Sequence, residues 1–309
     1  MTNDVSGHEF ERERRRLIGL AYRMLGSVAE AEDVVQDAFL RVRSAETSEI
    51  RDLGGILHTT VARLCLDRMK SAQARREKYV GTWLPEPVVS MAAQVETPPT
   101  ESSAADVQLE RLDDLSFALM MTLQRLNPQE RTAFLLHDVF GQDYGAIAAV
   151  LDSSESTCRK LAERARHQVQ AGRPRFQVKP EDGSRLLEVF LLATRDGDAD
   201  ALVKVLADDA TLYTDGGGKR QAALNPIHGA DNVARFFKGI SKKSTFEMPV
   251  GLELVPVNGL PGFVLTYATG DIAVGAIAIE QGRIQEVYIV RNPDKLQHLA
   301  KPAFGIGVP

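Results

Sequence analysis

Cysteine is nearly missing from this chain: Cys65 and Cys158 are the only two in 309 residues, they fall in different predicted domains, and no Cys-x-x-Cys pair or Cys/His cluster accompanies them. A structural zinc site or a disulfide framework is therefore disfavoured, and no metal is expected. Long apolar runs are also lacking, and the stretch from Glu9 to Arg16 is charged where a signal peptide would be apolar. The expected location is the cytoplasm. No charge of one sign dominates either: a formal net charge of -5 argues against a protein that coats nucleic acid through bulk electrostatics. Gly216, Gly217 and Gly218 lack the spacing of a phosphate loop, in which Gly-x-x-x-x-Gly-Lys-Ser/Thr opens a helix, because here the glycines follow an expected strand. They read as a mobile or docking loop.

Three hundred and nine residues suggest two or three domains, and 44% hydrophobic with 26% charged residues lets most of the chain bury a core. Charge is unevenly spread. Residues 1 to 80 carry net +1, residues 81 to 126 net -5, residues 127 to 180 net +2 and the remainder net -3. The most informative stretch lies in the third of these segments. Asn127 can N-cap a helix with Pro128 at its first position and Glu130 at N3, a capping-box variant. Phe134, Leu135, Val139 and Phe140 follow, Gly141 stops the run, and Asp143 opens a second short helix containing Ile147, Val150 and Leu151. A tight turn, Asp152-Ser153-Ser154, precedes a third helix from about Glu155 to His167, where Arg159, Lys160, Arg164 and Arg166 face only Glu155 and Glu163. A recognition helix needs its N-terminal side chains at base edges and its cations near phosphates, so this stretch reads as a DNA-binding helix-turn-helix.

Upstream, a helical pattern runs from Phe10 to Arg43 with a break at Gly26 and Ser27. Its second part turns Val34, Val35, Ala38, Phe39 and Val42 inward while Glu32, Asp33, Gln36, Asp37 and Arg41 stay polar. A third helix, about Leu53 to Lys70, has Leu57, Val61, Leu64, Cys65 and Met69 as its stripe and ends basic, with Arg68, Lys70, Arg75, Arg76 and Lys78. Residues 81 to 109 hold Pro85, Pro87, Pro98 and Pro99 with little periodicity and read as an extended linker. It contains Trp83-Leu84-Pro85-Glu86-Pro87, with the only tryptophan of the chain, which is expected to dock on a folded surface. A shorter linker spans 173 to 183. The rest, 184 to 309, is expected to be α+β: helices around Leu186 to Thr194 and Ala199 to Leu206, then strands at Ala210 to Thr214, Phe263 to Thr269, Ile272 to Glu280 and Arg283 to Arg291 in a curved antiparallel sheet, with Gln281-Gly282 as a hairpin turn.

This order of parts resembles an extracytoplasmic-function sigma factor of bacterial RNA polymerase carrying a SnoaL-like C-terminal extension. Leu20 to Ser27 and Ala31 to Leu40 look like sigma regions 2.1 to 2.2, Ala62 to Arg68 and the basic segment after it are similar to regions 2.3 and 2.4, and Asn127 to His167 matches region 4. Trp83 to Pro87, Asp215-Gly216-Gly217-Gly218-Lys219 and Asn292-Pro293-Asp294-Lys295-Leu296 resemble the motifs of one group within that family. The resemblance implies a multidomain chain: an all-α region 2 bundle at 8 to 80, a linker at 81 to 109, an all-α region 4 helix-turn-helix at 110 to 172, a linker at 173 to 183, and an α+β SnoaL-like, nuclear-transport-factor-like, cone-shaped domain at 184 to 309. Core RNA polymerase and promoter DNA are the implied partners. Asp33, Gln36, Asp37 and Phe39 are implied to meet the polymerase clamp, Arg63, Asp67, Arg68, Lys70, Arg75 and Arg76 the minus-10 element, and Ser154, Ser156, Thr157, Arg159, Lys160, Arg164 and Arg166 the minus-35 element.

In that group the C-terminal domain regulates in cis and replaces a separate anti-sigma factor. Trp83, Leu84, Pro85, Asp215, Gly216, Gly217, Gly218, Lys219, Asn292, Pro293, Asp294, Lys295 and Leu296 are expected to form one interdomain contact set, with an unknown small ligand as a further candidate partner. No catalysis, cofactor or membrane contact is implied. SnoaL relatives include cyclases and isomerases, for which Asp215 and His228 are the imaginable acid/base groups, but nothing in the sequence fixes their geometry. The competing class is a one-component DNA-binding regulator with a ligand-sensing C-terminal domain.

Overall fold

The computed structural model describes residues 3–44, 53–76, 79–89, 116–171, 180–243 and 247–299. These fall into two compact units. The first unit is all-helical. Helix α1 (Asn3–Leu25) ends at Gly26, whose φ of 74° and amide bond to the Tyr22 carbonyl terminate the helix. Ser27 then accepts from the Glu30 amide at 3.1 Å and starts α2 (Val28–Ser44). Together with α3 (Leu53–Arg76) these helices bury Leu17, Leu20, Met24, Val34, Val35, Leu57 and Val61, the apolar stripes that the 3.6-residue period predicts.

The same unit contains α4 (Phe117–Arg125) from its second residue, α5 (Pro128–Phe134), a π-helical turn (Leu135–Val139), α6 (Tyr144–Leu151) and α7 (Glu155–Ala171). The capping box of α5 is present in full: Asn127 Oδ1 accepts from the Glu130 amide at 2.8 Å, and Glu130 accepts from the Asn127 amide at 3.3 Å. Asp143 caps α6 through the Ala146 amide at 2.8 Å. Asp152 closes it in the left-handed region at φ 49°, so the turn into α7 forms where the Asp-Ser-Ser run predicts it. The π-helical turn has no counterpart among the sequence expectations. It carries the chain from α5 to Gly141, which also has a positive φ of 67°.

The second unit takes in the Tyr79–Val89 segment and the chain from α8 (Pro180–Asp196) onward. Then follow α9 (Ala199–Val205), β1 (Leu206–Asp215), β2 (Ile227–His228), α10 (Ala230–Ser241), β3 (Gly251–Val257), β4 (Leu260–Thr266), β5 (Ile272–Glu280) and β6 (Arg283–Val290). The six strands form one sheet in the order β2-β1-β6-β5-β4-β3. The sheet is mixed, which corrects the antiparallel expectation: β1 runs parallel to β6, because the two are joined through all the intervening strands and not by a hairpin. Helices α8, α9 and α10 supply Phe190, Leu202 and Phe237 to the core against Leu206, Leu212, Ile284 and Val287 of the sheet. Phe190 and Phe237 meet edge to face at 5.4 Å.

Two hairpins rest on left-handed turn pairs. Gln281 and Gly282 (φ 51° and 75°) join β5 to β6 as expected, and Asn258-Gly259 (φ 49° and 72°) joins β3 to β4, a pair of which only β4 is predicted from the sequence. The parallel register pairs Asp215 with Val290, so the end of β1 lies beside the end of β6. The loops that leave those two ends are Gly216–Lys219 and Asn292–Leu296, far apart in sequence and adjacent in space.

Candidate nucleic-acid interface and linker clasp

Helix α7 buries Cys158, Leu161, Ala162, Ala165 and Val169 on one side and exposes Ser156, Thr157, Arg159, Lys160 and Arg164, with Ser154 just before it, on the other. Ser154 caps the helix through the Thr157 amide at 3.2 Å and shares hydrogen bonds with the Ser156 and Thr157 hydroxyls, so the first turn presents hydroxyl groups and cations together. Arg159 lies over the Tyr144 ring at 5.1 Å. Arg166 behaves differently: it is half-exposed and holds Asp138 at 2.7 Å, an attachment of α7 to the π-helical turn. Desolvation pushes the buried Cys158 thiol upward, as it does that of Cys65, so both behave as small apolar groups.

On the region 2 side, Asp33, Gln36 and Asp37 lie together on the exposed face of α2. Phe39 is half-buried and stacks on Phe10 at 4.1 Å, with the Arg43 guanidinium over its ring. Arg68 links α3 to α2, donating to the Glu30 carbonyl at 3.1 Å and to Asp37 at 3.2 Å. Asp67 and Lys70 form an exposed pair at 3.4 Å. The side chains of Arg75 and Arg76 lie outside the described residues. Arg63 donates from Nη2 to the Ala149 carbonyl of α6 at 2.6 Å, and Arg131 of α5 donates to the Met24 carbonyl of α1 at 2.5 Å. The two helical halves of this unit are therefore in direct contact.

The second unit contains a polar cluster around Asp215, whose carboxylate is buried with 1% of the residue exposed. Oδ1 accepts from the Tyr79 hydroxyl at 2.5 Å and the Gly217 amide at 3.0 Å; Oδ2 accepts from the Leu84 amide at 2.8 Å and from Lys295 Nζ at 2.7 Å. Four donors, one of them a cation, satisfy the charge, which is what lets a carboxylate be buried at all. Lys295 also donates to the Leu84 carbonyl and lies under the Trp83 and Tyr79 rings at 4.1 and 4.9 Å. Asn292 Nδ2 donates to the Tyr79 hydroxyl at 2.8 Å, while the Arg291 and Asn292 amides close on the Asp215 carbonyl. Lys219 pairs with Asp294 at 2.7 Å on the exposed rim. Burial, then the hydrogen bond to Asp215, push the Tyr79 phenol well above its usual range.

Around this cluster Leu84, Pro85, Glu86 and Pro87 are buried, as docking of the Trp-Leu-Pro-Glu-Pro stretch requires. Val88 exchanges hydrogen bonds with Asn258 at 2.9 and 2.8 Å, and His298 reaches the Pro87 carbonyl at 3.0 Å. Gly217 sits at φ 58°, and a Cβ there would lie 2.3 Å from Asn292 Nδ2. A Cβ on Gly216 would meet the Arg220 carbonyl at 2.1 Å. The three motif segments named from the sequence thus converge, Leu296 included, buried at 2% exposure. Tyr79, Asn258, Arg291 and His298 join them without any expectation from the sequence. For Asn258 the Asn-Gly dipeptide is a usable signal, whereas Tyr79 carries none. His228 shares a hydrogen bond with Thr211 at 3.1 Å, while the Asp215 carboxylate is taken up by the four donors given above. Among the described residues no cluster of His, Cys, Asp and Glu is arranged to hold a metal, and no helix is long and apolar enough to cross a membrane.

An amphipathic, cation-bearing helix held by a capped helix-turn-helix defines a DNA-binding transcription protein. Comparison with known proteins supplies the family: residues 116–169 match the model for Sigma-70, region 4, and residues 10–75 that for Sigma-70 region 2. The ECF RNA polymerase sigma factor SigJ of Mycobacterium tuberculosis (strain ATCC 25618 / H37Rv) is 38% identical over 296 residues, covering 93% of this chain and 92% of that protein. The probable ECF RNA polymerase sigma factor SigI of the same strain is 35% identical over 289 residues, covering 93% of each. The crystal structure of Mycobacterium tuberculosis SigJ superposes with a TM-score of 0.72 at 32% identity, covering 96% of this chain and 99% of that one. The chain belongs to the ECF RNA polymerase sigma factors, with region 2 and region 4 helical domains and a C-terminal α+β domain, and directs promoter-specific initiation of transcription. A one-component regulator would leave the region 2 match without a purpose.

Proposed function

We propose that this sigma factor is held inactive in cis by its own C-terminal domain, with the Asp215 cluster as the latch. The observation that carries this reading is the 2.6 Å hydrogen bond from Arg63 to the Ala149 carbonyl. Minus-10 and minus-35 elements lie about 25 base pairs apart, or about 85 Å along straight B-DNA at about 3.4 Å per pair. Region 2 and region 4 in direct contact cannot span that distance, and Arg63, assigned here to the minus-10 element, is occupied by a region 4 backbone.

The latch acts on the linker. Region 2 and region 4 are joined by the chain between Arg76 and Phe117, and the latch fixes Tyr79 to Val89 of that connection to the second unit. A tether anchored in this way lowers the population of separated, promoter-spanning arrangements. Moving such an equilibrium from 1:99 to 99:1 requires about 5.5 kcal/mol of differential binding, which core RNA polymerase and promoter DNA together supply or a second ligand assists. In the open form Ser154, Ser156, Thr157, Arg159, Lys160 and Arg164 read the minus-35 element with Arg166 bracing the helix. Arg63, Asp67, Arg68, Lys70, Arg75 and Arg76 serve the minus-10 element, and Asp33, Gln36, Asp37 and Phe39 the polymerase clamp. No catalytic step and no separate anti-sigma factor enter this scheme, which operates in the cytoplasm.

The test is in vitro transcription with core RNA polymerase on a promoter selected from a random pool, comparing the wild-type chain with Lys295→Met and with Asn292 to Leu296 replaced by alanines. A higher yield from both variants supports the latch. Unchanged yields alongside a released Trp83 would sink it.

A further inference from the structure

The second unit contains an open-mouthed cavity of about 920 Å³ beside the latch. Its floor is apolar, with Phe190, Phe236, Phe263 and Ile289 among the lining residues, joined by the half-exposed Leu252 and Leu254. The volume suits an organic molecule of drug size. At one end the chemistry changes. Arg220 reaches both oxygens of Asp271 at 2.5 Å, while Arg291 donates only to the Gln221 carbonyl at 3.3 Å and stacks over Tyr267 at 5.6 Å. Among the described residues Arg291 has no carboxylate within ion-pair distance; Asp271 is taken up by Arg220, and the exposed Glu247 acts on this end of the cavity from further off, outside ion-pair distance of either guanidinium.

The same segment of chain forms the cavity wall and the latch. The turn after β1 is closed by the Lys219 and Arg220 amides, both donating to the Gly216 carbonyl at 2.9 and 3.0 Å. Gly217 and Lys219 of this turn meet Asn292 and Asp294, and Lys219 to Ala222 line the cavity, so Lys219 belongs to both. Arg291 lines the cavity with its side chain while its amide holds the Asp215 carbonyl at 2.7 Å. No spacer residue separates the two functions.

We infer that the cavity binds an apolar organic acid, its carboxylate on Arg291 and Arg220, and that this binding opens the latch. An anion that draws Arg220 from Asp271 displaces the 216–222 turn toward the cavity, and Gly217 and Lys219 leave Asn292 and Asp294. The signal is thus converted into release of Tyr79 to Val89 from the second unit. This inference rests on the latch proposed above, so its test separates the two.

Dodecanoate and 1-naphthaleneacetate serve as probes, with dodecan-1-ol and 1-naphthaleneethanol as neutral counterparts, titrated calorimetrically into the full-length protein. Trp83 is the only tryptophan, so its emission reports the latch directly. Lys295→Met marks the open position. The expected result is saturable binding of an acid about tenfold tighter than its alcohol, with Trp83 emission moving to the Lys295→Met position. Arg291→Gln abolishes the preference for acid, and Leu254→Glu, at the half-exposed mouth, weakens the acid alone. Equal affinity of acids and alcohols overturns the anion assignment; binding with Trp83 unmoved overturns the coupling; no saturable heat from either acid overturns the inference. The latch itself is judged by the transcription yield of Lys295→Met with no probe present, whatever the probes do.

Discussion

Lys295 holds Asp215 through an ion pair of 2.7 Å in which the two side chains are 9% and 0% exposed. Removing one partner of a buried pair strands the other charge, at a cost of about 3 kcal/mol or more. Lys295→Met is expected to lower the stability of the chain by about that amount and to release Trp83 from the cation beneath it. Asp215→Asn is expected to be comparably damaging, since its amide group faces donors that a carboxylate satisfied. Denaturant unfolding followed by Trp83 emission measures both.

Gly217 offers a sharper contrast. Alanine there meets both a positive φ and a Cβ position 2.3 Å from Asn292 Nδ2. At Gly270 the φ is also positive, at 81°, with nothing within 4 Å of the added carbon. Gly270→Ala should cost about 1 kcal/mol from the backbone alone, and Gly217→Ala clearly more. Equal losses in parallel unfolding experiments would show that the close approach to Asn292 is dispensable.

Alkaline pH should open the latch. The Tyr79 phenol is raised above its unfolded value of 10.0, chiefly by burial, so the closed form favours the protonated hydroxyl. Its contribution is complete below pH 10 and fades as the pH climbs beyond that value. The difference between wild type and Tyr79→Phe is the informative quantity, because it isolates the phenol. Titration of Trp83 emission should find a shallower alkaline loss in Tyr79→Phe.

For DNA recognition, Lys160→Ala and Arg164→Ala in the Lys295→Met background should weaken holoenzyme binding to promoter DNA. Taking one phosphate-neutralising cation away at either position reduces the slope of log affinity against log salt by about 1. Arg166→Ala, whose partner is Asp138, should instead act mainly through the stability of α7. Filter binding over a range of salt concentrations separates these cases.

The helix-turn-helix is legible in the sequence because its signals are local. Asn127, Glu130, Asp143 and the Asp152–Ser154 turn each act within four residues, and all perform as their chemistry predicts. The Gln281-Gly282 hairpin is legible for the same reason. The π-helical turn and the parallel pairing of β1 with β6 are not, since one depends on packing beneath it and the other joins segments about 70 residues apart. Among the latch residues, the motif segments stand out in the sequence, but Tyr79 and Arg291 do not, because a single aromatic or cation has no pattern to stand out from.

By itself, then, the sequence determined the helical stripes, the caps, the recognition face and the three motif segments, because periodicity and hydrogen-bonding chemistry act over one or two turns. Tertiary structure decided which of these residues meet. The parallel register sets Asp215 beside the chain leaving Val290, and that brings a carboxylate, a lysine and a tryptophan from three distant segments into one buried cluster. Tertiary structure also decided that Arg63 faces Ala149 and that the turn after β1 serves both a latch and a cavity wall. Such relationships follow from sheet order and packing, which no local pattern encodes.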